Sequence, residues 1–502
     1  MDCRAAQGRD LWTIERRHWG WLAGILLLAA ALRFFRIGYQ SLWTDEVRSI
    51  WAVIRMEEGL QHYFHGPLHA VLLQLWSLWG GYEDGWARAL SAVIGLATLP
   101  LVYQLGRRVG GGRVGLLAAF LLAISPFHVW YCQEIRNYSL LIGLAALSQI
   151  LLLRILDGGG PRAWLGLGLT SLGLVLSNFA GAFLIAAQGI YLLAYRRRLL
   201  PRFLLVQALV LLVLIPWLRN YESRWTPELV GREGAMRAVN FHPLAVPFTF
   251  SVFSVGFTVG PSLDEMNRSL SLGLLAPHLW FFIPSGLLFA LLFARGLWRK
   301  RGEAEGVGFF VVWLLVPLLI TSVLAILNIK AYNPRYAAVA YPALLLLYGL
   351  GLDSLGRIAK ASLALLLIAS FGISLGNHYV SPRYMKPDAR SAAAHVEKHL
   401  ESSDAVLVYT HDDPFRYYYR GSVPCERLPW NLPYKEGALR ELLDRLAREH
   451  ERVWLVDYRG WHMDPEGRIP AALDREWTEV SRVPFTNLDV SLYADPRGRQ
   501  VR

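Results

Sequence analysis

The chain has 502 residues, of which 54% are hydrophobic and only 18% charged, with a mean hydropathy of +0.31. A soluble protein of this size carries about a quarter charged residues, so the composition excludes an ordinary soluble domain. The net charge of +12 would suggest nucleic acid, but the basic residues fall in short gaps between apolar runs, where they orient a membrane protein; no nucleic-acid partner is expected.

The first apolar run, residues 19–32, follows Arg16 and Arg17. No small-residue cleavage site precedes Arg33, so the run reads as an uncleaved anchor. Residues 45–60 then place Val47, Ile50, Trp51 and Ile54 at helical spacing. This predicts an amphipathic helix on the membrane surface. Residues 68–79 are apolar but too short to span comfortably, and the second span is expected over 86–105, closed by Arg107 and Arg108. Runs at 116–124, 140–153, 203–218, 309–327, 337–352 and 361–375 reach the ~20 residues a bilayer needs, some of them with their flanks. The aromatic residues 242–258 could dip into the interface.

Basic residues recur in alternate gaps: Arg113, Arg154 and Arg162, then Arg196, Arg197, Arg198 and Arg202. Arg295, Arg299, Lys300 and Arg301 follow, and Arg357 and Lys360 close the series. That alternation predicts a cytoplasmic N-terminus, about eleven spans and an extracytoplasmic C-terminus.

After Gly376 the composition becomes charged and spans cease. A helix is predicted over 388–400, strands over 405–409 and 453–458, and a helix over 436–450. The expected architecture is an α-helical polytopic membrane domain over 1–377 with an extracytoplasmic α/β domain over 378–502. His411, Asp412 and Asp413 could form a metal or acid–base group, but a turn into a helix at 414–419 explains them equally. The cysteines, Cys3, Cys132 and Cys425, have no zinc-type spacing. Cys132 and Cys425 could pair, with nothing local to support it.

Three polar clusters fall in gaps expected on the outer side. The first is SLWTDE at 41–46, with Arg48 and the segment HGPLH beginning at His65. The second is WYCQEIRNYSL at 130–140, and the third is KAYNPRY at 330–336, followed by Tyr341 and Pro342. Adjacent carboxylates beside a membrane helix are costly near lipid, so Asp45 and Glu46 ask for a function. They could equally cap a helix N-terminus, where acids are favoured.

Together these motifs resemble the GT-C glycosyltransferases, in particular the bacterial branch similar to protein O-mannosyltransferases and the lipid A aminoarabinose transferase. HGPLH stands where that family has an HPPL-like segment, the run to Leu140 where it has YSQEARMYSL, and NPRYAAVAYP where it has an arginine–tyrosine pair before a proline-led span. The resemblance covers most of residues 20–350. It implies an inverting transfer of a sugar from a polyprenyl-phosphate carrier to an acceptor on the outer face, with membrane lipids as surroundings and a protein, lipid or glycan as acceptor. Asp45 matches the catalytic aspartate, a general base toward the acceptor hydroxyl. Glu46 supports it, since neighbours on a helix point about 100° apart. Glu134, Arg136, Asn137 and Tyr138 occupy the second acidic region; an amide at Asn137 where some relatives carry aspartate leaves open which group is the second carboxylate.

The leaving phosphate needs cations. Arg335 comes first, because a guanidinium can grip phosphate with two parallel bonds. Arg48, His65, Lys330 and Tyr336 are further donor-phosphate candidates. Trp43 is a candidate for stacking on the sugar. Asp45 with Glu134 could hold a divalent ion, but the resemblance implies none, so no metal and no cofactor is expected. A transporter or flippase of lipid-linked sugars is the rival reading; it would place its polar groups near the bilayer midplane.

Overall fold

The computed structural model describes residues 15–54, 66–222, 241–268, 271–409, 413–428, 436–464 and 466–495. The chain divides into two compact units. The first comprises Met1–Ile37, Ala52–Gly260 and Leu275–Leu375; the second comprises Gly38–Trp51, Pro261–Leu274 and Gly376–Arg502. A single boundary near residue 377 therefore captures the last segment of the second unit, which also recruits two short pieces from earlier in the chain.

The first unit is helical. Among the described residues, seven helices are long and apolar enough to cross a bilayer, and an eighth results if a bent pair counts as one span. Pro161–Ser177 and Gly181–Tyr195 are shorter, and Arg16–Phe34 carries arginines at both ends. The predicted second span is Asp84–Gly110, and the short apolar piece before it is the 14-residue helix Pro67–Gly80. The aromatic stretch forms Ala245–Val255, whose Phe253 packs on Phe127 at 4.8 Å and on Tyr341 at 5.4 Å.

Basic residues at several helix ends of this unit form ion pairs. Arg108 pairs with Asp157, Arg196 with Glu305 at 2.7 Å, and Arg299 with Asp353 at 2.6 Å. These pairs join the loops that the charge alternation grouped on one side. The bent pair, Gly112–Ile124 and Pro126–Cys132, turns by 58°. Pro126 has no N–H to continue the ladder. Ser125 caps the second piece, its hydroxyl oxygen accepting from the His128 N–H at 3.1 Å.

The second unit carries a five-stranded sheet in the order β2-β1-β3-β5-β4. The strands are β1 (Asp404–Val408), β2 (Cys425–Arg427), β3 (Arg452–Asp457), β4 (Thr478–Phe485) and β5 (Leu488–Ala494). β1 runs parallel to β2 and β3, while β5 is antiparallel to both β3 and β4. Helices cover both faces. Ala389–His399 and Asp413–Tyr418 pack on one face through Ala393, Val396 and Phe415; Glu436–Glu449 and Arg468–Glu476 pack on the other through Leu446, Ile469 and Leu473. Asp404 is fully buried at the start of β1, where Arg452 binds it at 2.7 Å and 2.8 Å and the Trp454 indole donates to it at 2.9 Å. A buried carboxylate needs partners of this kind. Both predicted strands and both predicted helices are present; the β4–β5 hairpin is an addition. Cys132 and Cys425 are free thiols.

Candidate active site

The motif at 41–46 opens the helix Thr44–Ile54. Asp45 and Glu46 lie in its first turn, and the Trp43 N–H donates to Glu46 Oε2 at 3.2 Å. Glu46 thus satisfies one of the orphan donors at the helix start, as the capping reading expected. It does more: Glu46 is fully buried, and Lys386 Nζ lies 2.8 Å from the same oxygen. Removing one partner of a buried pair costs about 3–5 kcal/mol, because the other charge is left uncompensated. Asp45 is half-buried, and its carbonyl accepts from the Ser49 hydroxyl at 2.9 Å. The helix was expected on the membrane surface. Instead Val47, Ile50 and Val53 are covered by protein.

The residues before the helix are held as closely. The Ser41 hydroxyl donates to Asp388 Oδ1 at 3.0 Å and accepts from the Arg390 N–H at 3.2 Å, and the Leu42 N–H donates to the Tyr418 hydroxyl at 2.8 Å. Arg48, a donor-phosphate candidate from sequence, reaches Asp413 at 2.7 Å; Arg427 approaches the other oxygen of Asp413 at 3.5 Å. Asp413, taken from the sequence as part of a turn, is therefore an ion-pair partner, while His411 and Asp412 lie outside the described residues. Tyr458 is buried, which pushes its hydroxyl above its usual range. Trp43 is half-buried, with its indole N–H covered and no hydrogen-bond partner for it.

The second and third clusters meet in the first unit. Tyr138 is their centre: the Arg335 guanidinium lies 5.7 Å from its ring and the Arg136 guanidinium 5.9 Å. Arg335 also lies 5.5 Å from the Tyr336 ring, and Lys330 Nζ lies 6.0 Å from the same ring. Such distances permit cation–π attraction. Local sequence explains the placement of Arg335. Asn333 caps the 3₁₀ segment Pro334–Ala340, its side-chain oxygen accepting from the Arg335 N–H at 3.2 Å. Glu134 is buried, and the Tyr131 ring packs against Tyr138 at 4.7 Å, tilted by 53°.

Asn137 is also buried and donates to the Ser177 carbonyl. It serves there as a brace. Gly66 packs against the same two groups with φ +87°, and a Cβ at this position would collide with both. The HGPLH segment thus reaches the second cluster through Gly66, while His65 lies outside the described residues.

What fixes the second cluster is a reciprocal cap that the sequence did not announce. Arg33, fully buried in the last turn of Arg16–Phe34, donates to the carbonyls of Leu122 at 3.0 Å and Ala123 at 2.9 Å, where the bent pair breaks. It also donates to the Ala29 carbonyl at 3.0 Å and lies 2.7 Å from His128 Nδ1. In return Gln133 donates to the carbonyls of Arg33 and Phe35, both at 2.9 Å. Carbonyls freed in the low-dielectric interior must find partners, and these are supplied in both directions. Gln133→Met keeps the volume but removes the donors. It is expected to destabilise the protein by about 1–3 kcal/mol, measured as a lower thermal midpoint in detergent.

The chain shares its fold with solved structures of GT-C glycosyltransferases. Residues 64–219 match the family model described as dolichyl-phosphate-mannose-protein mannosyltransferase. Among solved structures, the chain is similar to apo ArnT from Cupriavidus metallidurans, with TM-score 0.63 and 14% identity over 94% of this chain and 98% of that one. The same protein bound to undecaprenyl phosphate gives TM-score 0.59 and 15% identity, with the same coverage of both chains. The Archaeoglobus fulgidus oligosaccharyltransferase in its apo form gives 0.57 and 12% identity, over 96% of this chain and 75% of that one. No curated protein matches the chain.

Proposed function

We propose that the chain is an inverting glycosyltransferase that moves a hexosyl or pentosyl group from a polyprenyl-phosphate carrier to an acceptor hydroxyl or phosphate. The observation that carries this reading is the convergence of Arg136 and Arg335 on Tyr138 beside buried Glu134. The fold supports it, being shared with a protein solved in complex with undecaprenyl phosphate. Asp45 takes the proton of the acceptor as its oxygen attacks the anomeric carbon. The bond from that carbon to the phosphate oxygen breaks on the opposite face, which inverts the centre. The leaving phosphate gains charge, and Arg335 stabilises it, with Arg136, Lys330 and Tyr336 completing its surroundings. Glu46 and Arg48 keep Asp45 in place through their ion pairs. Trp43 offers an aromatic face to the sugar. The reaction as written uses no metal and no cofactor.

The test is to reconstitute the full chain in liposomes with undecaprenyl phosphate linked to mannose, arabinose or aminoarabinose, and to measure released undecaprenyl phosphate. Release from one donor is expected. Passage of lipid-linked sugar across the bilayer without release from any donor would favour the transporter reading.

A further inference from the structure

We propose that the C-terminal α/β domain is the scaffold that positions Asp45, with Lys386, Tyr418 and Asp413 as positioning residues. The inference rests on the reading of Asp45 as base. Three observations within the second unit carry it.

The first is where the Asp45 segment sits on the sheet. From β1 the chain crosses to β2 on one side and then to β3 on the other, so the strand order reverses between β1 and β3. In open α/β sheets the carboxyl edge at such a switch point is where ligands lodge. Here the occupant is a piece of the same chain. Arg48 binds Asp413, five residues past the end of β1, and Asp413 is also approached by Arg427, the last residue of β2. Tyr458, one residue past β3, is buried.

The second observation is the buried Glu46–Lys386 pair, with side chains 0% and 11% exposed. Glu46 follows Asp45 directly and caps the same turn. Lys386 therefore fixes the backbone that carries Asp45. The third is the bonding of the approach strand, through Ser41 to Asp388 and through the Leu42 N–H to Tyr418. Asp388 in turn caps the domain's own helix Ala389–His399, accepting from the Ser391 N–H at 3.2 Å. The segment and the domain share one hydrogen-bonded framework.

The experiment is amide hydrogen exchange on the full chain in detergent micelles, comparing wild type with Lys386→Met and with the double variant Glu46→Gln/Lys386→Met. Lys386→Met is expected to speed exchange at residues 47–51 about tenfold, by local opening, and to leave β3 at its wild-type rate. The double variant buries no lone charge and keeps the acceptor for Trp43, so exchange at 47–51 is expected to return toward wild type. Undecaprenyl phosphate binding is expected to stay unchanged in both. Unchanged exchange at 47–51 in Lys386→Met overturns the proposal, as does an equal rise in β3, which marks global loosening. With an active donor, kcat is expected to fall in Lys386→Met at constant KM for that donor and to recover in the double variant. If exchange behaves as expected while kcat does not move, the scaffold stands and the assignment of Asp45 as base falls.

Discussion

Asp45→Asn is expected to lower turnover by about 10²- to 10⁴-fold, the contribution a positioned general base makes. The substitution is nearly isosteric, and the amide cannot accept the acceptor's proton. Asp45 sits in the first turn of a helix whose fixed contacts run through its neighbours, Glu46 to Lys386 and Arg48 to Asp413. Those contacts survive the change, so the fold and the affinity for undecaprenyl phosphate are expected to persist. The measurement is release of undecaprenyl phosphate under turnover conditions alongside carrier binding by the same preparation. Equal release by both proteins would remove Asp45 from the mechanism.

Arg335→Met is expected to show the opposite pattern, a loss of carrier affinity. A hydrogen bond to a charged group is worth roughly 1.5–3 kcal/mol, which corresponds to about 10- to 150-fold in binding. Arg335→Lys is expected to recover part of this, because a lysine keeps the charge without the planar fork. The stem of Arg335 is set by the Asn333 cap, and its head lies against the rings of Tyr138 and Tyr336. Titration of undecaprenyl phosphate into the purified full chain reads the effect directly. An unchanged affinity in Arg335→Met would transfer the phosphate role to Arg136 or Lys330.

Much of the site was legible in the motifs. Asp45, Glu134, Arg136 and Arg335 stand out because charged residues are scarce in so apolar a chain. The order of the motifs against the charge alternation then paired the second cluster with the third. Other assignments needed coordinates. Arg48, a phosphate candidate from sequence, is bound to Asp413, and Asn137, an amide where some relatives carry aspartate, donates to the Ser177 carbonyl. A charged or amide side chain has the same signature in sequence whether its partner is a substrate or another residue.

By itself the sequence determined what depends on composition and short-range period: membrane residence, the alternation of basic loops, the placement of most helices, and the strands at 405–409 and 453–458. These follow from local hydropathy and charge, which each segment carries alone. Only the tertiary structure decided what depends on residues distant in the chain. Lys386 reaches Glu46 across 340 positions, and Arg33 reaches the Ala123 carbonyl across 90. Neither partnership leaves a spacing or motif behind. Each arises because a buried charge or a freed carbonyl takes whichever partner the fold brings within hydrogen-bond distance.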